Sequence, residues 1–564
     1  MTKRLREALL PLVLGLAVCG PAAAEDFTLD DVSMGSATAT YRAKRIEISG
    51  ANISREEARR LLAADSAEPG ADRLARIDAA RIVLPELVSE TRSGDYTQTI
   101  SYRDVVIVQM AKGVAQTVDC AGATIQSKRG DASSRGTFGA SHMEGVDFAL
   151  LLRIAGGVRG APDEPKRQTA ASFSMDGMTM DIAEGGRMTA GRMTGRAFAG
   201  RPLAAPMSSL VELAPKPAEQ PSEAARAALS AMTADFFTSV DFGALELNDI
   251  VVARDADARG PATRVDIRRV AFEGMKDGRI DRIALEGIDT GGAPNLKILR
   301  LVVDGFDPRP SFIAAASPTK RAVPQFDRLE VQGLSIDAHD GPIGLGKLTV
   351  DAKDWKDLAP AALTARAENL AVSLAGPAAL RAPALAALGY TSLDLSAGLD
   401  ARYDAQKQEL ALNEISMREP SVGKAQLAGF LGHVSPDLMS GDDAATKSAI
   451  AALVFWRADL ALENGGALDR FIAAQAKQTG KPAATLRDNL AGAAKALVLN
   501  LFATGGKPDP QVSKVGDALA NFVKGAKAFE LHLSAPDGLG MIDLAMAGKL
   551  GGLVDRLKID ATAK

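Results

Sequence analysis

The stretch Leu329-Glu330-Val331-Gln332-Gly333-Leu334-Ser335-Ile336 decides the fold. Its apolar residues stand at positions 0, 2, 5 and 7, with glycine at position 4. Side chains alternate faces along a strand, so positions 0 and 2 share a face while 2 and 5 do not. One extra residue at position 4 restores the face. A β-bulge supplies it, and glycine takes the positive φ such a bulge needs. A tight turn at the glycine is the competing reading, and it would send the chain back as a hairpin. Either way the segment is β with one apolar face, because a helix would show spacings of 3 and 4.

Nine further copies begin at Ile46, Ile100, Val118, Phe173, Leu245, Val270, Ile283, Leu301 and Leu410; position 7 fails in three of them (Asp277, Thr290 and Pro308), and position 5 is only alanine in the copies at Ile46 and Val118. Seven of the ten carry glycine at position 4: Gly50, Gly122, Gly177, Gly274, Gly287, Gly305 and Gly333. A backbone requirement therefore recurs along with the apolar pattern. The starts keep no fixed period, which excludes a regular solenoid or propeller. They crowd between Leu245 and Ile336 and predict a meander of short antiparallel strands. Such a sheet must cover its apolar face with a second sheet, with helices or with a bound apolar ligand. Leu329, Val331, Leu334 and Ile336 are candidates to line that face.

Apolar residues at 46% and charged residues at 24% are ordinary globular usage, which excludes a disordered tail, a collagen and a multi-span membrane protein. Lys and Arg number 66 against 70 Asp and Glu, a net charge of −4, so the basic signature of a nucleic-acid binder is absent. Residues 1–24 read as a secretory signal peptide. Lys3, Arg4 and Arg6 precede an apolar run from Leu9 to Val18, and Ala22-Ala23-Ala24 offers an A-x-A cleavage site before Glu25. Cleavage there would also remove Cys19, leaving Cys120 with no partner for an internal disulfide. The expected address is a Gram-negative periplasm, with peripheral membrane association compatible with it.

The expected organisation is a β-rich region with a short helix at 25–205, a Pro-rich linker at 206–221, a β-meander at 222–440 and an α+β region at 441–564. Ser54-Arg-Glu-Glu57 is a capping box opening the short helix. Ser222 caps a helix running towards Phe237. In the C-terminal region Leu486, Leu490, Leu497 and Leu501 form one helical stripe. Val512, Val515, Leu519, Phe522, Ala526 and Phe529 form another, with Asp509 as cap and Pro510 at the first helical position. The fold class is thus mainly β with a C-terminal α+β part: an elongated antiparallel sheet of short bulged strands, with helices covering one face.

Short strands with glycine-bulge phrases, an N-terminal signal and a late helical insertion between strands resemble bacterial AsmA-type and YdgA-type envelope proteins. The resemblance covers most of the chain after the signal. It implies an elongated, groove-forming β-sheet and a role in envelope lipid homeostasis. It carries no functional residue with it.

Catalytic parts are scarce. Gly341-Pro-Ile-Gly-Leu-Gly346-Lys347-Leu348 nearly matches a P-loop, but Leu348 stands where Ser or Thr must hold Mg²⁺, and a strand pattern follows. No nucleotide is expected. Asp255 to Asp266 echoes a Ca²⁺ loop, with Arg259 at a ligand position. Ser317-Pro-Thr-Lys320 and Ser421-Val-Gly-Lys424 match S-x-x-K without the partner motifs of the penicillin-recognising hydrolases. His142, His339, His433 and His532 are scattered. Cys120 falls on the apolar face of a bulge motif and reads as an inert core thiol. Met175, Met178, Met180, Met188, Met193 and Met207 could select Cu(I), yet the first three lie on the motif's apolar face and are candidates to line it. Arg187, Arg192, Arg196 and Arg201 each follow a glycine, with no acid from Gly186 to Pro202, and are candidates to hold a phosphate head group. No catalytic residue, metal or cofactor is expected. The expected function is non-catalytic: binding an apolar envelope lipid, or scaffolding with another envelope protein. An exported hydrolase is the minor alternative.

Overall fold

The computed structural model describes residues 24–564 apart from 36–38, 64–65, 67, 131, 156–158, 162, 183–185, 206–221, 257–261, 293, 316–321, 340, 357, 441, 503–508 and 547–549. The predicted signal peptide up to residue 23 lies outside that range. The strands are β1 (Glu25–Gly35), β2 (Ala39–Ala51), β3 (Ala79–Ser93), β4 (Tyr96–Ala111), β5 (Val114–Cys120), β6 (Gly122–Arg129), β7 (Ala132–Phe138), β8 (Ser141–Asp147), β9 (Arg167–Ile182), β10 (Gly186–Gly200), β11 (Val240–Arg254) and β12 (Thr263–Lys276). They continue as β13 (Arg279–Asp289), β14 (Asn295–Phe306), β15 (Arg328–Ala338), β16 (Gly341–Lys356), β17 (Ala359–Ser373), β18 (Ser392–Asp404), β19 (Glu409–Glu419), β20 (Gly423–Gly432), β21 (Val454–Asn464), β22 (Ala528–Gly540) and β23 (Lys558–Ala563).

All 23 belong to one sheet. Every pairing is antiparallel, and from β9 onward each strand pairs with its neighbours in sequence. β5 and β6 pair with the two halves of β4, and β7 and β8 both pair with β9. Each of these couples is one row broken in the middle, so the sheet has 21 rows. At a strand spacing of about 4.8 Å it runs for about 95 Å. The predicted linker at 206–221 lies outside the described residues, and the strands on either side of it, β10 and β11, pair directly. The sheet is therefore continuous across that boundary.

At most of the motif glycines the strand runs on, so they are kinks within strands and not hairpin turns. All seven have positive φ, from 60° at Gly333 to 146° at Gly122. Gly177, Gly274, Gly287, Gly305 and Gly333 lie inside strands that run on in the same direction. Two of the three copies without glycine use the same backbone, with Asp104 at φ 50° and Asp249 at φ 51°. Asp and Asn are the residues besides glycine that visit this region most readily. The register is unbroken where facing strands add the residue together: Ile267↔Ile288 is followed by Val270↔Leu285, three residues on along each strand. The same step recurs between Ile298↔Leu334 and Leu301↔Val331, and between Leu345↔Leu370 and Leu348↔Ala367. A crease thus runs along the sheet from β11 to β17, and bulged strands bend there. At β18 the partner adds no residue, and the ladder slips between Ala367 and Leu370.

The helices are α1 (Arg55–Leu61), α2 (Gly70–Leu74), α3 (Phe148–Ala155), α4 (Glu223–Ser239), α5 (Arg309–Ala315), α6 (Pro383–Ala387), α7 (Asp443–Ala452), α8 (Ala467–Thr479), α9 (Ala483–Leu501), α10 (Pro510–Lys524) and α11 (Met541–Met546). The three predicted caps are in place: the side chains of Ser54, Ser222 and Asp509 accept from the backbone N–H groups of Glu57, Ala225 and Gln511. The helices do not cover the whole apolar face. At the N-terminal end Leu61 and Leu62 join Ile46, Ile48, Ile82 and Leu84 in one core. At the C-terminal end Val512, Val515 and Ala518 of α10 join Phe529, Ile559 and Ala561. α4 and α5 pack on each other, with Phe237 stacked on Phe312 at 5.1 Å between centroids.

Candidate ligand-binding face

One line of cross-strand partners crosses the entire sheet. It starts Phe27↔Ile48↔Ile82↔Ile107↔Val118↔Met143↔Phe173. It continues Phe173↔Gly195↔Leu245↔Phe272↔Ile283↔Val303↔Leu329↔Val350. It ends Val350↔Ala365↔Leu399↔Ile415↔Leu427↔Leu460↔Leu531↔Ala561. All 21 rows contribute, and no member is polar. Parallel lines flank it, such as Leu247↔Val270↔Leu285↔Leu301↔Val331↔Leu348.

Burial along this line maps what covers it. Ile48 and Ala561, under the helices at the two ends, are each 2% exposed. From Leu245 to Leu399 every member is half-buried. Ile415 and Leu427 reach 41% and 38%. Among the described residues the face is thus most deeply buried at its two ends, α6 packs with Leu393 and Leu395 at the rim of β18, and the central line stays only half-buried from β11 to β20, about 45 Å by strand spacing.

The opposite face carries ion pairs between strands around small buried residues, Ala271, Ala284 and Val302. Arg269 on β12 reaches Glu246 on β11 at 2.8 Å and Glu286 on β13 at 3.3 Å. The hydrogen bond from Arg269 holds the Glu246 carboxyl below its ordinary range. Arg282 and Asp304 pair at 2.7 Å between β13 and β14.

The predicted lining residues share the apolar face. Leu329, Val331, Leu334 and Ile336 pair with Val350, Leu348, Leu345 and Ile343. Met180 faces Met188, Met175 faces Met193, and Met178 faces Ala190. Met207 lies outside the described residues. Cys120 is buried in the N-terminal core, as its position in the motif predicts, with its thiol 3.3 Å from the Gly122 carbonyl.

The four arginines do not meet as one cluster, and none joins the apolar face. Arg187 and Arg196 alternate with Met188 and Gly195 and point the other way. Arg187 sits 3.5 Å from Asp181, and Arg192 sits 3.9 Å from Asp176. Arg201 is buried against Asp235 at 2.7 Å and also donates to the Pro202 carbonyl. The acids missing from β10 come from β9 and α4, elements that reading β10 alone does not include.

The remaining motifs resolve locally. The P-loop-like stretch is the first half of β16. Ser421 lies in the turn between β19 and β20, and its hydroxyl donates to Glu419 at 2.8 Å. Ser317 to Lys320 and residues 257–261 of the Ca²⁺-like loop lie outside the described residues. Among the described residues no three His, Cys, Asp or Glu side chains are grouped to hold a metal ion.

His142 and His532 pair across strands with Asp119 and Asp459, at 2.7 and 2.8 Å. The hydrogen bond to Asp119 raises His142 above the ordinary value of 6.5. The stabilisation from this pair is full below that ordinary value and is lost as pH rises through the raised one. Imidazole NMR should place the His142 midpoint above 6.5, and Asp119→Asn should bring it back down. An unchanged midpoint would assign the shift elsewhere.

A family model described as an uncharacterized protein matches residues 416–564. That segment runs from within β19 to the end of β23 and carries α7 to α11. No curated protein and no solved structure matches the chain.

Proposed function

We propose that the protein is an exported, non-catalytic envelope protein that holds an apolar lipid chain against the uncovered stretch of its sheet. One observation carries the reading: an unbroken apolar line that, among the described residues, is packed under helices at both ends and only half-buried along its middle, where α6 covers just the rim at β17 and β18. Monomeric proteins rarely leave apolar patches of that extent to water. The backbone groups beneath are already paired in the ladder, so the face has only aliphatic contact to offer. A hydrocarbon chain is the occupant that asks for nothing else, and each methylene buried there gains about 0.8 kcal/mol. The resemblance to AsmA-type proteins, with their lipid-handling role, supports the same reading.

Native mass spectrometry of protein purified without detergent, with organic extraction of what travels with it, tests the proposal. A lipid mass retained in fixed ratio is the expected result. A bare polypeptide mass, with no lipid taken up from added vesicles, would leave a scaffold whose partner covers the face instead.

A further inference from the structure

Among the described residues the C-terminal half of the α9 leucine stripe is exposed, while Leu486 and Leu490 are half-buried. The helix buries Ala491 and turns Val498 into the C-terminal core, with Leu499 and Phe502 packed against that core. Leu497 and Leu501, one turn apart on a single face, point outward at 59% and 49% exposure. Phe471 on the preceding helix α8 is exposed as well. These two helices are also basic. Residues 467–501 hold Arg470, Lys477, Lys481, Arg487 and Lys495 against Asp469 and Asp488; Arg487 pairs with Asp469 and Lys495 with Asp517 of α10, which leaves the net excess mainly to Lys477 and Lys481.

The pair is tied to the most open part of the sheet. The Arg470 guanidinium lies over the Tyr390 ring, 4.3 Å from its centroid. The Tyr390 hydroxyl donates to the Ser421 carbonyl at 2.8 Å, in the turn that joins β19 to β20. These two strands carry Ile415, Met417 and Leu427, the exposed members of the apolar face.

We propose that α8 and α9 form a docking element that seats the β19–β20 opening of the sheet on an anionic lipid surface. A helix with outward leucines and a basic surround binds at a membrane interface through apolar insertion plus attraction to anionic head groups. A protein partner would also accept the leucines, but the positive excess selects a negatively charged surface. The docking goes beyond the cargo reading and does not depend on it, since the surface it uses lies outside the apolar line.

Flotation of the full protein with vesicles is the test. Vesicles of phosphatidylcholine containing phosphatidylglycerol should carry the protein upward, and vesicles of phosphatidylcholine alone should carry about tenfold less. Raising the salt should weaken the binding, because exposed charges are screened. Leu497→Glu with Leu501→Glu should lower binding to the anionic vesicles about tenfold, and Lys477→Glu with Lys481→Glu should lower it similarly. All four positions are exposed, so thermal unfolding of both variants should match the parent. Equal binding to the two vesicle types, no binding to either, or undiminished binding by folded variants would overturn the proposal. A protein that carries extracted lipid yet ignores vesicles defeats the docking alone. One that docks and carries no lipid defeats the cargo reading alone.

Discussion

Val303→Asp should leave the protein folded and strip it of lipid, whereas Ile48→Asp should unfold its N-terminal end. The two residues belong to one line of partners on one face of one sheet. They differ in what lies above them. Ile48 is enclosed with Leu61, Leu62 and Ile82, and a carboxylate there would lose its water. Burying an unpaired charge costs several kcal/mol, about 4 or more at such a site, which is much of a typical domain's stability. Val303 is half-buried, so an aspartate there keeps some access to water and costs about 1 kcal/mol. It would still place a charge in the middle of the surface proposed to hold a hydrocarbon chain. Circular dichroism with temperature and the lipid mass carried per protein separate the two effects. A Val303→Asp protein that unfolds as readily as Ile48→Asp would mean that the middle of the face is covered.

Gly333→Val should destabilise the protein by about 3 kcal/mol, and Gly333→Asn by about 1 kcal/mol less. Gly333 holds φ at 60° inside β15, where an L-residue pays for its Cβ and a β-branched one pays most. The Cβ of any replacement would also sit 2.9 Å from the Leu299 Cβ. Asparagine meets the same neighbour but tolerates the backbone, and Asn369 already occupies it on β17 at φ 56°. Both replacements meet that fixed Cβ alike, so the backbone decides the difference between them. Denaturant midpoints of the two variants measure it. Equal losses would mean that the Leu299 contact dominates and the bulge backbone does not.

Much of this was legible in the sequence because it is local. The 0-2-5-7 spacing reports a face, and glycine at position 4 reports a backbone angle; both survive without knowledge of the partner strand. The helix caps and the buried Cys120 follow from the same kind of short-range pattern. What was missed is non-local. Asp104 and Asp249 stand in for glycine, and in the sequence nothing marks them apart from other strand aspartates. The acids that pair with Arg187 and Arg192 sit on β9, across a hairpin from β10. The outward turn of Leu497 and Leu501 depends on Ala491 and Val498 being buried first, which is a tertiary outcome. The apolar pattern is also the same where helices cover it and where they do not, so an open face could be suspected from sequence but not located.

Single cysteines placed along the one apolar line, at Ile48, Val303, Ile415 and Ala561, test the central claim most directly. Cys120 is buried and provides a slow internal reference. In protein stripped of lipid, maleimide should label Val303→Cys and Ile415→Cys rapidly and leave Ile48→Cys and Ala561→Cys as protected as Cys120. Adding lipid vesicles should then slow labelling at Val303→Cys. Protection of Val303→Cys and Ile415→Cys in the lipid-free protein, equal to that at the two ends, would contradict an uncovered face.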